Sequence, residues 1–158
     1  MSGRDTVKRA LALSVLLLAP PEAAAATCSV TAVALAFGNY NTFKATPTDT
    51  AGNVAVTCMG KAGERVVYSI ALSAGGGAFP VRRMIGASSF QLTYNIYTNA
   101  ARTLVWGDGS SGTLQVNDAY TLAGPATTRN YPVYGRIFAS QKAIVGSYTD
   151  AIVATLAF

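Results

Sequence analysis

The sequence predicts an all-β fold, an antiparallel β-sandwich, and three observations support this prediction. After the first cysteine, apolar residues recur with a period of two rather than 3.6, as they do in strands with one buried face. Clusters of Gly, Pro, Asn and Asp separate these runs at short intervals, which is typical of tight turns between strands. Finally, 51% of the residues are hydrophobic and 12% are charged, a composition that favours a packed domain over disorder.

The N-terminal part of the 158-residue chain has the pattern of a cleaved export signal. Three basic residues precede an apolar run at 10–19, and four alanines follow at 23–26. A membrane anchor is the alternative, but the apolar run is too short for a spanning helix, which needs about 20 residues. We therefore expect residues 1–26 to be a signal peptide that is removed after Ala26, and residues 27–158 to form one domain.

The charge of the expected mature chain is mildly positive. Cleavage after Ala26 would leave nine basic and five acidic residues. The basic residues are scattered, and their longest run is Arg82-Arg83. Nucleic-acid binding is not expected, because it requires a clustered basic stripe. The charges are interpreted as a solvated surface.

Both cysteines of the chain, Cys28 and Cys58, lie in the part that would be exported. An oxidising compartment favours a disulfide between them over two free thiols. The bridge would close a loop of about 30 residues and stabilise the domain by about 3 to 4 kcal/mol. A lipid anchor on Cys28 is the alternative, but 25–27 is a poor lipidation signal. No metal site or cofactor is expected, because the chain contains no histidine.

Three strands are predicted in the N-terminal half of the domain. The first ends at Gly38 and Asn39, and a loop is expected at 41–52, where Pro, Asp and Thr accumulate. Gly75 to Gly77 end the third strand. The inward-facing residues of the three strands are predicted to be Val33, Leu35 and Phe37; Val54, Val56 and Cys58; and Val66, Tyr68, Ile70 and Leu72.

The C-terminal half is predicted to supply the remaining strands, for a total of seven or eight. One strand carries Phe90, Leu92, Tyr94 and Ile96 on its inner face and Gln91, Thr93 and Asn95 on the other. A shorter strand is expected around Leu104 and Trp106, and Asp108-Gly109 favours a tight turn after it. The runs at 131–139 and 148–158 complete the set. No linker or internal repeat divides the domain.

Catalytic chemistry is not expected in this chain, and we predict that it is not an enzyme. Without histidine, a serine or cysteine nucleophile lacks its usual activating base. A pair of carboxylates is the remaining option, but the acidic residues lie beside Gly, Thr or Asn and are interpreted as turn residues. The segment 107–109 lacks the alternating oxygen ligands of a calcium loop, so no metal is expected there.

One loop is a candidate adhesive surface. The segment 75–83 places Phe79 between a glycine-rich stretch and the basic pair Arg82 and Arg83, so an exposed aromatic ring beside two cations is expected. The alternative is a flexible hairpin loop, because Gly and Pro clusters commonly mark turns.

Four segments carry a family resemblance that spans essentially the whole expected mature chain. They run from Cys28-Ser29-Val30 to Phe37-Gly38-Asn39-Tyr40, from Gly52 to Cys58, from Tyr94-Asn95-Ile96-Tyr97 to Trp106-Gly107-Asp108-Gly109, and from Tyr131-Pro132-Val133-Tyr134-Gly135-Arg136-Ile137 through Gly146-Ser147-Tyr148-Thr149-Asp150 to Phe158. The chain thereby resembles the spore coat protein U (SCPU) domain family, which is shared with subunits of archaic chaperone-usher pili.

The resemblance implies an immunoglobulin-like, pilin-type sandwich that lacks one strand and leaves an apolar groove at its edge. It also implies three partners: a periplasmic chaperone that lends a strand, an outer-membrane usher, and a neighbouring subunit whose N-terminal extension replaces the lent strand. On this chain the groove would be bordered by residues of the final strand, and the Phe158 carboxylate would be a handle for the chaperone. These residues are Tyr148, Ile152, Ala154, Leu156 and Phe158.

The function implied is that of a structural subunit of a secreted surface fibre or coat, exported to the periplasm and then to the cell surface. One departure matters, because cleavage after Ala26 leaves only Thr27 before the first cysteine. A polymerising subunit carries ten or more donor residues there. The chain could therefore receive a strand without giving one, as a tip, terminator, accessory or coat subunit. The alternative function is a self-complete surface adhesin or coat binding module.

Overall fold

The structure, a computed structural model, describes residues 25–158 and contains eight β-strands. The expected signal peptide 1–26 lies outside the described residues except for its last two. The strands are β1 (Thr27–Val33), β2 (Thr48–Met59), β3 (Arg65–Leu72), β4 (Arg82–Ile85), β5 (Gln91–Tyr97), β6 (Val116–Thr121), β7 (Ala126–Ile137) and β8 (Ala154–Ala157), with one 3-10 turn at Ala87–Ser89. In the described part of the chain no helix is long and apolar enough to cross a membrane.

The strands form two antiparallel sheets, which confirms the predicted all-β sandwich. The larger sheet has the order β1-β2-β7-β5-β4, and the smaller has the order β6-β3-β8. The longest pairing joins β2 to β7 over twelve residues, from Thr48 opposite Ile137 to Met59 opposite Ala126. Strands distant in sequence are neighbours in both sheets, so the fold depends on long-range pairing.

The core lies between the sheets and is built from alternate residues of their strands. In β3 the predicted inward residues are all buried, and in β5 Leu92, Tyr94 and Ile96 are buried as predicted, whereas Phe90 precedes the strand and is 42% exposed. Asn95 was expected to face away from the core, but it is only 1% exposed. It is buried because its side chain accepts a hydrogen bond from Arg82 and donates one to the Pro80 carbonyl.

Two predicted boundaries in the N-terminal half were wrong. The first strand pairs only as far as Val33, although Leu35 and Phe37 beyond it still point inward. The segment expected to be a loop, 41–52, is a loop only in its first part, because β2 begins at Thr48. The polar residues at the start of β2 pair with the end of β7. A distant partner strand thus supplies the hydrogen bonds that the local sequence does not favour.

The C-terminal half also differs from the prediction. Strands β4 and β6 were not predicted, since each is short and carries several polar residues. The region of Leu104 to Trp106 forms isolated bridges rather than a strand. Trp106 is nevertheless completely buried, and its Nε1 donates to the Ile70 carbonyl at 2.9 Å. Of the closing run 148–158, only Ala154–Ala157 forms a strand.

Candidate functional site: an apolar groove between two sheet edges

An open groove of about 540 Å³ lies where an edge of one sheet faces an edge of the other. Strand β1 ends the larger sheet and pairs only with β2, while β8 ends the smaller sheet and pairs only with β3. The two strands approach each other. The walls of the groove are the segments 32–37, which continues from β1, and 148–154, which leads into β8.

The floor of the groove is the hydrophobic core itself. Both sheets contribute to it, and each floor residue is at most 7% exposed. These residues are Val54, Leu72, Met84, Tyr94, Ile96 and Val133. The floor itself is well covered, but apolar side chains of the walls, among them Leu35, Phe37 and Ile152, are only partly buried, and soluble domains usually avoid uncovered apolar surface.

The first wall is held in place by side-chain packing rather than by a strand ladder. A Cβ built on Gly52 would lie 3.0 Å from Leu35 Cδ2, and one built on Gly135 would lie 2.7 Å from Phe37 Cζ. The Phe37 ring also meets Tyr94 edge to face, with centroids 5.9 Å apart. Both glycines therefore make room for wall side chains, and the backbone edge of 34–37 stays largely outside the sheet ladder.

The second wall crosses from one sheet to the other. Thr149 exchanges backbone hydrogen bonds of 3.1 and 2.8 Å with Ile85, which belongs to the larger sheet. Four residues later Val153 bonds to Ser73, just beyond β3 of the smaller sheet. Between these attachments Ile152 lines the groove, whereas the Val153 side chain is 62% exposed on the other side.

A single carboxylate anchors the second wall. Asp150 Oδ2 accepts a hydrogen bond from the Tyr94 hydroxyl at 2.7 Å, and Asp150 Oδ1 accepts one from the Gly76 N–H at 2.8 Å. Burial and the hydrogen bond to Asp150 raise the pKa of Tyr94, so the phenol remains a donor. The glycine-rich loop predicted after β3 is therefore packed against the groove wall.

The predicted groove residues of the C-terminal run are only partly brought together. Tyr148, Ile152 and Ala154 line the groove. Leu156 packs against the core beyond it. Phe158 is 70% exposed and borders a separate hollow on the smaller sheet, beside Val67.

The candidate adhesive loop does not expose Phe79 beside two cations, which is what the sequence predicted. Arg82 is completely buried, its Cζ lies 5.0 Å from the centre of the Phe79 ring, and Phe79 is half-buried. Only Arg83 is exposed. The interpretation of all basic residues as a solvated surface is thus wrong for Arg82, because carbonyl groups of neighbouring loops satisfy its guanidinium.

The predicted disulfide is confirmed. Cys28 and Cys58 are directly opposite each other on β1 and β2, with a Cα–Cα distance of 4.0 Å and a sulfur–sulfur bond of 2.02 Å. The bridge therefore fastens the edge strand that leads into the first groove wall.

Contrary to the prediction from the sequence, the acidic residues are not all turn residues. Asp108 is a turn residue, since its Oδ1 accepts hydrogen bonds from the N–H and hydroxyl of Ser110. Asp49 lies in β2, where the hydrogen bond from Arg136 lowers its pKa. Asp118 lies in β6, where burial opposes but hydrogen bonds from Tyr131 and Ala119 produce a lowered pKa. Strand pairing places Asp49 opposite Arg136, whereas the packing of one sheet on the other brings Tyr131 to Asp118.

Sequence reasoning missed the first groove wall and Asp150. The only local signal was the inward alternation of Leu35 and Phe37, which does not reveal that the chain leaves the sheet there. The glycines that receive these side chains, Gly52 and Gly135, are distant in sequence and become neighbours only because β2 pairs with β7.

Comparison with known proteins adds one family and one fold relative. The profile of the Spore Coat Protein U domain family matches residues 13–155. No curated protein is similar enough to count as a match. Among solved structures, the chain is similar to one in the CsuC-CsuE chaperone-tip adhesion subunit pre-assembly complex from archaic chaperone-usher Csu pili of Acinetobacter baumannii. The TM-score is 0.57 at 19% identity, covering 84% of this chain and 40% of that one, and the likeness shows a shared fold.

Proposed function

The chain belongs to the Spore Coat Protein U domain family, and from this premise we propose that it is a structural subunit of a secreted bacterial surface fibre or coat. In this proposal another protein inserts a β-strand into the groove between the wall segments 32–37 and 148–154. The observation that carries it is the arrangement of two unpaired sheet edges around an opening whose floor is the core.

An inserted strand fits the groove for two physical reasons. Its backbone would pair with exposed edges along the walls, and every second side chain would point toward the apolar floor. Covering the partly exposed wall side chains Leu35, Phe37 and Ile152 would remove apolar surface from water at about 25 cal/mol per Å². The donor is therefore expected to alternate apolar and polar residues over the length of the walls.

The partners follow from this role. We propose that a periplasmic chaperone first fills the groove, that an outer-membrane usher exchanges it for a neighbouring subunit, and that the product reaches the cell surface. The fold relative supports this order, because its solved complex is described as a chaperone–subunit pre-assembly complex. The groove wall residues Tyr148, Ile152 and Ala154 would contact the inserted strand. This role requires neither catalysis nor a cofactor.

The place of the subunit in an assembly depends on what precedes Cys28. If processing leaves one or two residues there, the chain accepts a strand but has too few residues to donate one. We propose that such a subunit occupies the end of a fibre or a coat rather than its repeating body.

An appended donor strand tests the groove directly. A strand of about ten residues with alternating apolar side chains would be joined after Phe158 through a short turn, so that it can fold back along the free edge of β8. We expect this fused chain to be monomeric, to bind less hydrophobic dye and to unfold at higher urea concentration than the unfused chain.

The matched control contains the same appended residues with the apolar positions shifted by one. Such a shift turns every apolar side chain to the opposite face of the strand. The proposal fails if the shifted strand stabilises the chain equally well, or if the unfused chain is already a monomer of the same stability.

A further inference from the structure

At the start of β1, far from the groove, a carboxylate binds the backbone. Glu64 Oε1 accepts a hydrogen bond from the backbone nitrogen of Ala26 at 2.7 Å, while Glu64 Oε2 accepts one from the Lys61 N–H at 3.0 Å. The carboxylate is half-buried. Within residues 25–158 no lysine or arginine forms an ion pair with it.

The methyl group of Ala26 sits in a matching niche. A Cβ built on Gly60 would lie 3.0 Å from Ala26 Cβ and 2.8 Å from Leu122 Cδ1. Leu122 is only 1% exposed, and Ala26 packs against the same core. Ala25, one residue earlier, is exposed. Within the described residues, packing against the core therefore begins at Ala26.

The loop that carries Glu64 is itself held firmly. The Leu122 N–H donates to the Glu64 carbonyl at 2.8 Å, and the Gly63 N–H donates to the Leu122 carbonyl at 2.8 Å. The Gly60 N–H donates to the Pro125 carbonyl at 3.1 Å. These bonds hold the loop of Glu64 in place, so the carboxylate lies beside the start of β1.

From this geometry we propose that the export signal is removed after Ala25, and that the new α-ammonium group of Ala26 forms an ion pair with Glu64. Hydrolysis of the Ala25–Ala26 peptide bond converts the neutral N–H at this position into a cation. The bond to the carboxylate then becomes charge-assisted, which is stronger than the neutral one. It also supplies the cation that Glu64 lacks among its described neighbours.

The sequence permits this cut as well as the one expected after Ala26. Ala23 and Ala25 provide the two small residues that a signal peptidase requires, just as Ala24 and Ala26 do. A cut after Ala26 would remove the methyl group from the niche and leave Glu64 Oε1 without the hydrogen bond that it accepts. The tertiary structure therefore favours one of two sites that the sequence leaves equivalent.

The ion pair would have a consequence for the whole chain. Strand β1 runs from Thr27 to Val33. The groove lies at the Val33 end of the strand, so the Thr27 end is about 20 Å away from it. A terminus bound by Glu64 stays at that end, since termini remain ordered only where contacts hold them. The inference does not depend on what fills the groove.

Mass measurement tests the cut. The full-length chain would be exported in a bacterial host, purified from the periplasm, and its intact mass determined. We expect the mass of residues 26–158 with one disulfide. A chain that starts at Thr27, starts at any other residue or remains unprocessed would overturn the inference.

Chemical labelling tests the ion pair on the same purified protein. The rate at which an amine-specific reagent modifies the α-amino group would be compared between the wild type and Glu64→Gln, which keeps the size and the acceptor oxygen but removes the charge. We expect the variant to react several-fold faster. Asp108→Asn is the control, because its loop lies beside the opposite end of β3, where the Leu72 N–H donates to the Gly107 carbonyl, and it should react like the wild type. Equal rates for Glu64→Gln and the wild type would show that no ion pair forms.

Discussion

Arg82 is a completely buried cation that bonds to neutral oxygen atoms. Its guanidinium donates to the carbonyl of Ser73 at 3.0 and 2.8 Å, to the carbonyl of Trp106 at 2.7 Å and to Asn95 Oδ1 at 2.7 Å. Burial lowers the pKa of Arg82 from its usual value. The side chain thus joins the loop after β3, the Trp106 segment and β5 around one group.

We expect Arg82→Lys to destabilise the domain by about 2 kcal/mol, because an ammonium group cannot reproduce the planar fork that reaches three separate acceptors. Arg83→Lys is the matched control, since the neighbouring side chain is exposed and should change stability little. Urea unfolding followed by the fluorescence of Trp106, the only tryptophan, measures both. Equal midpoints for the two variants would contradict the structural role of Arg82.

Asp49 makes the stability of the domain depend on pH in the acidic range. The hydrogen bond from Arg136, at 2.8 Å from its Nε, lowers the pKa of Asp49, and Arg102 lies 3.3 Å away. A carboxyl whose pKa is lower in the folded state stabilises the fold above its unfolded pKa, near 3.8. That contribution is lost as the pH falls through the folded pKa.

We therefore expect Asp49→Asn to show a shallower loss of stability than the wild type between about pH 5 and pH 2. The difference should be about 0.5 to 1 kcal/mol, because Asp49 is 34% exposed and water screens the pair. Part of the slope should remain in the variant, since the pKa of Asp118 is also lowered. Urea midpoints measured across this pH range would be compared, and identical slopes would refute the assignment to Asp49.

At the scale of elements, β1 is an edge strand of the larger sheet that buries little of its surface. It pairs on one side only, and most of its residues are exposed. The Cys28–Cys58 bridge compensates by joining it covalently to β2. Because β1 leads directly into 32–37, the bridge also holds the first groove wall in position.

We expect the double variant Cys28→Ser/Cys58→Ser to lose about 3 to 4 kcal/mol, the value of the chain-entropy model for a bridge across a sequence separation of 30. The urea midpoint should fall accordingly. Wild-type protein that has been reduced and alkylated should give a similar midpoint. A double variant as stable as the oxidised wild type would show that β1 is held by its backbone pairing alone.

At the scale of the whole molecule, the groove depends on how the two sheets meet. The second wall attaches to Ile85 of the larger sheet and to Ser73 beside the smaller one, so it spans the gap between them. Its side chains alternate between groove and solvent. This alternation provides two neighbouring positions at which the same substitution should have different effects.

If the proposed chaperone binds through the groove, we expect Ile152→Asp to prevent a one-to-one complex when the two proteins are exported together. A carboxylate in the apolar groove would lose its hydration without gaining a partner. Val153→Asp should leave the complex intact, because that side chain is 62% exposed outside the groove. Size-exclusion chromatography of the periplasmic proteins measures the outcome. Loss of the complex in both variants, or in neither, would count against binding through the groove.

The sequence by itself determined the features that depend on local pattern. The period of two placed Val66 to Leu72 and Leu92 to Ile96 on inner faces, because side chains alternate along any strand whatever its partner. The two cysteines predicted their own bridge, since the chain offers no other thiol. Family resemblance extended this to a sandwich with an unfilled edge.

Only the tertiary structure decided which edges meet and which polar groups are buried. The contacts of Asp150 with Tyr94, of Arg82 with Trp106 and of Glu64 with Ala26 each join residues that are well separated in sequence. No local pattern encodes such pairs, because strand order and register bring them together. The same long-range pairing leaves β1 and β8 as edge strands of the two sheets, and the groove opens between the segments adjoining them.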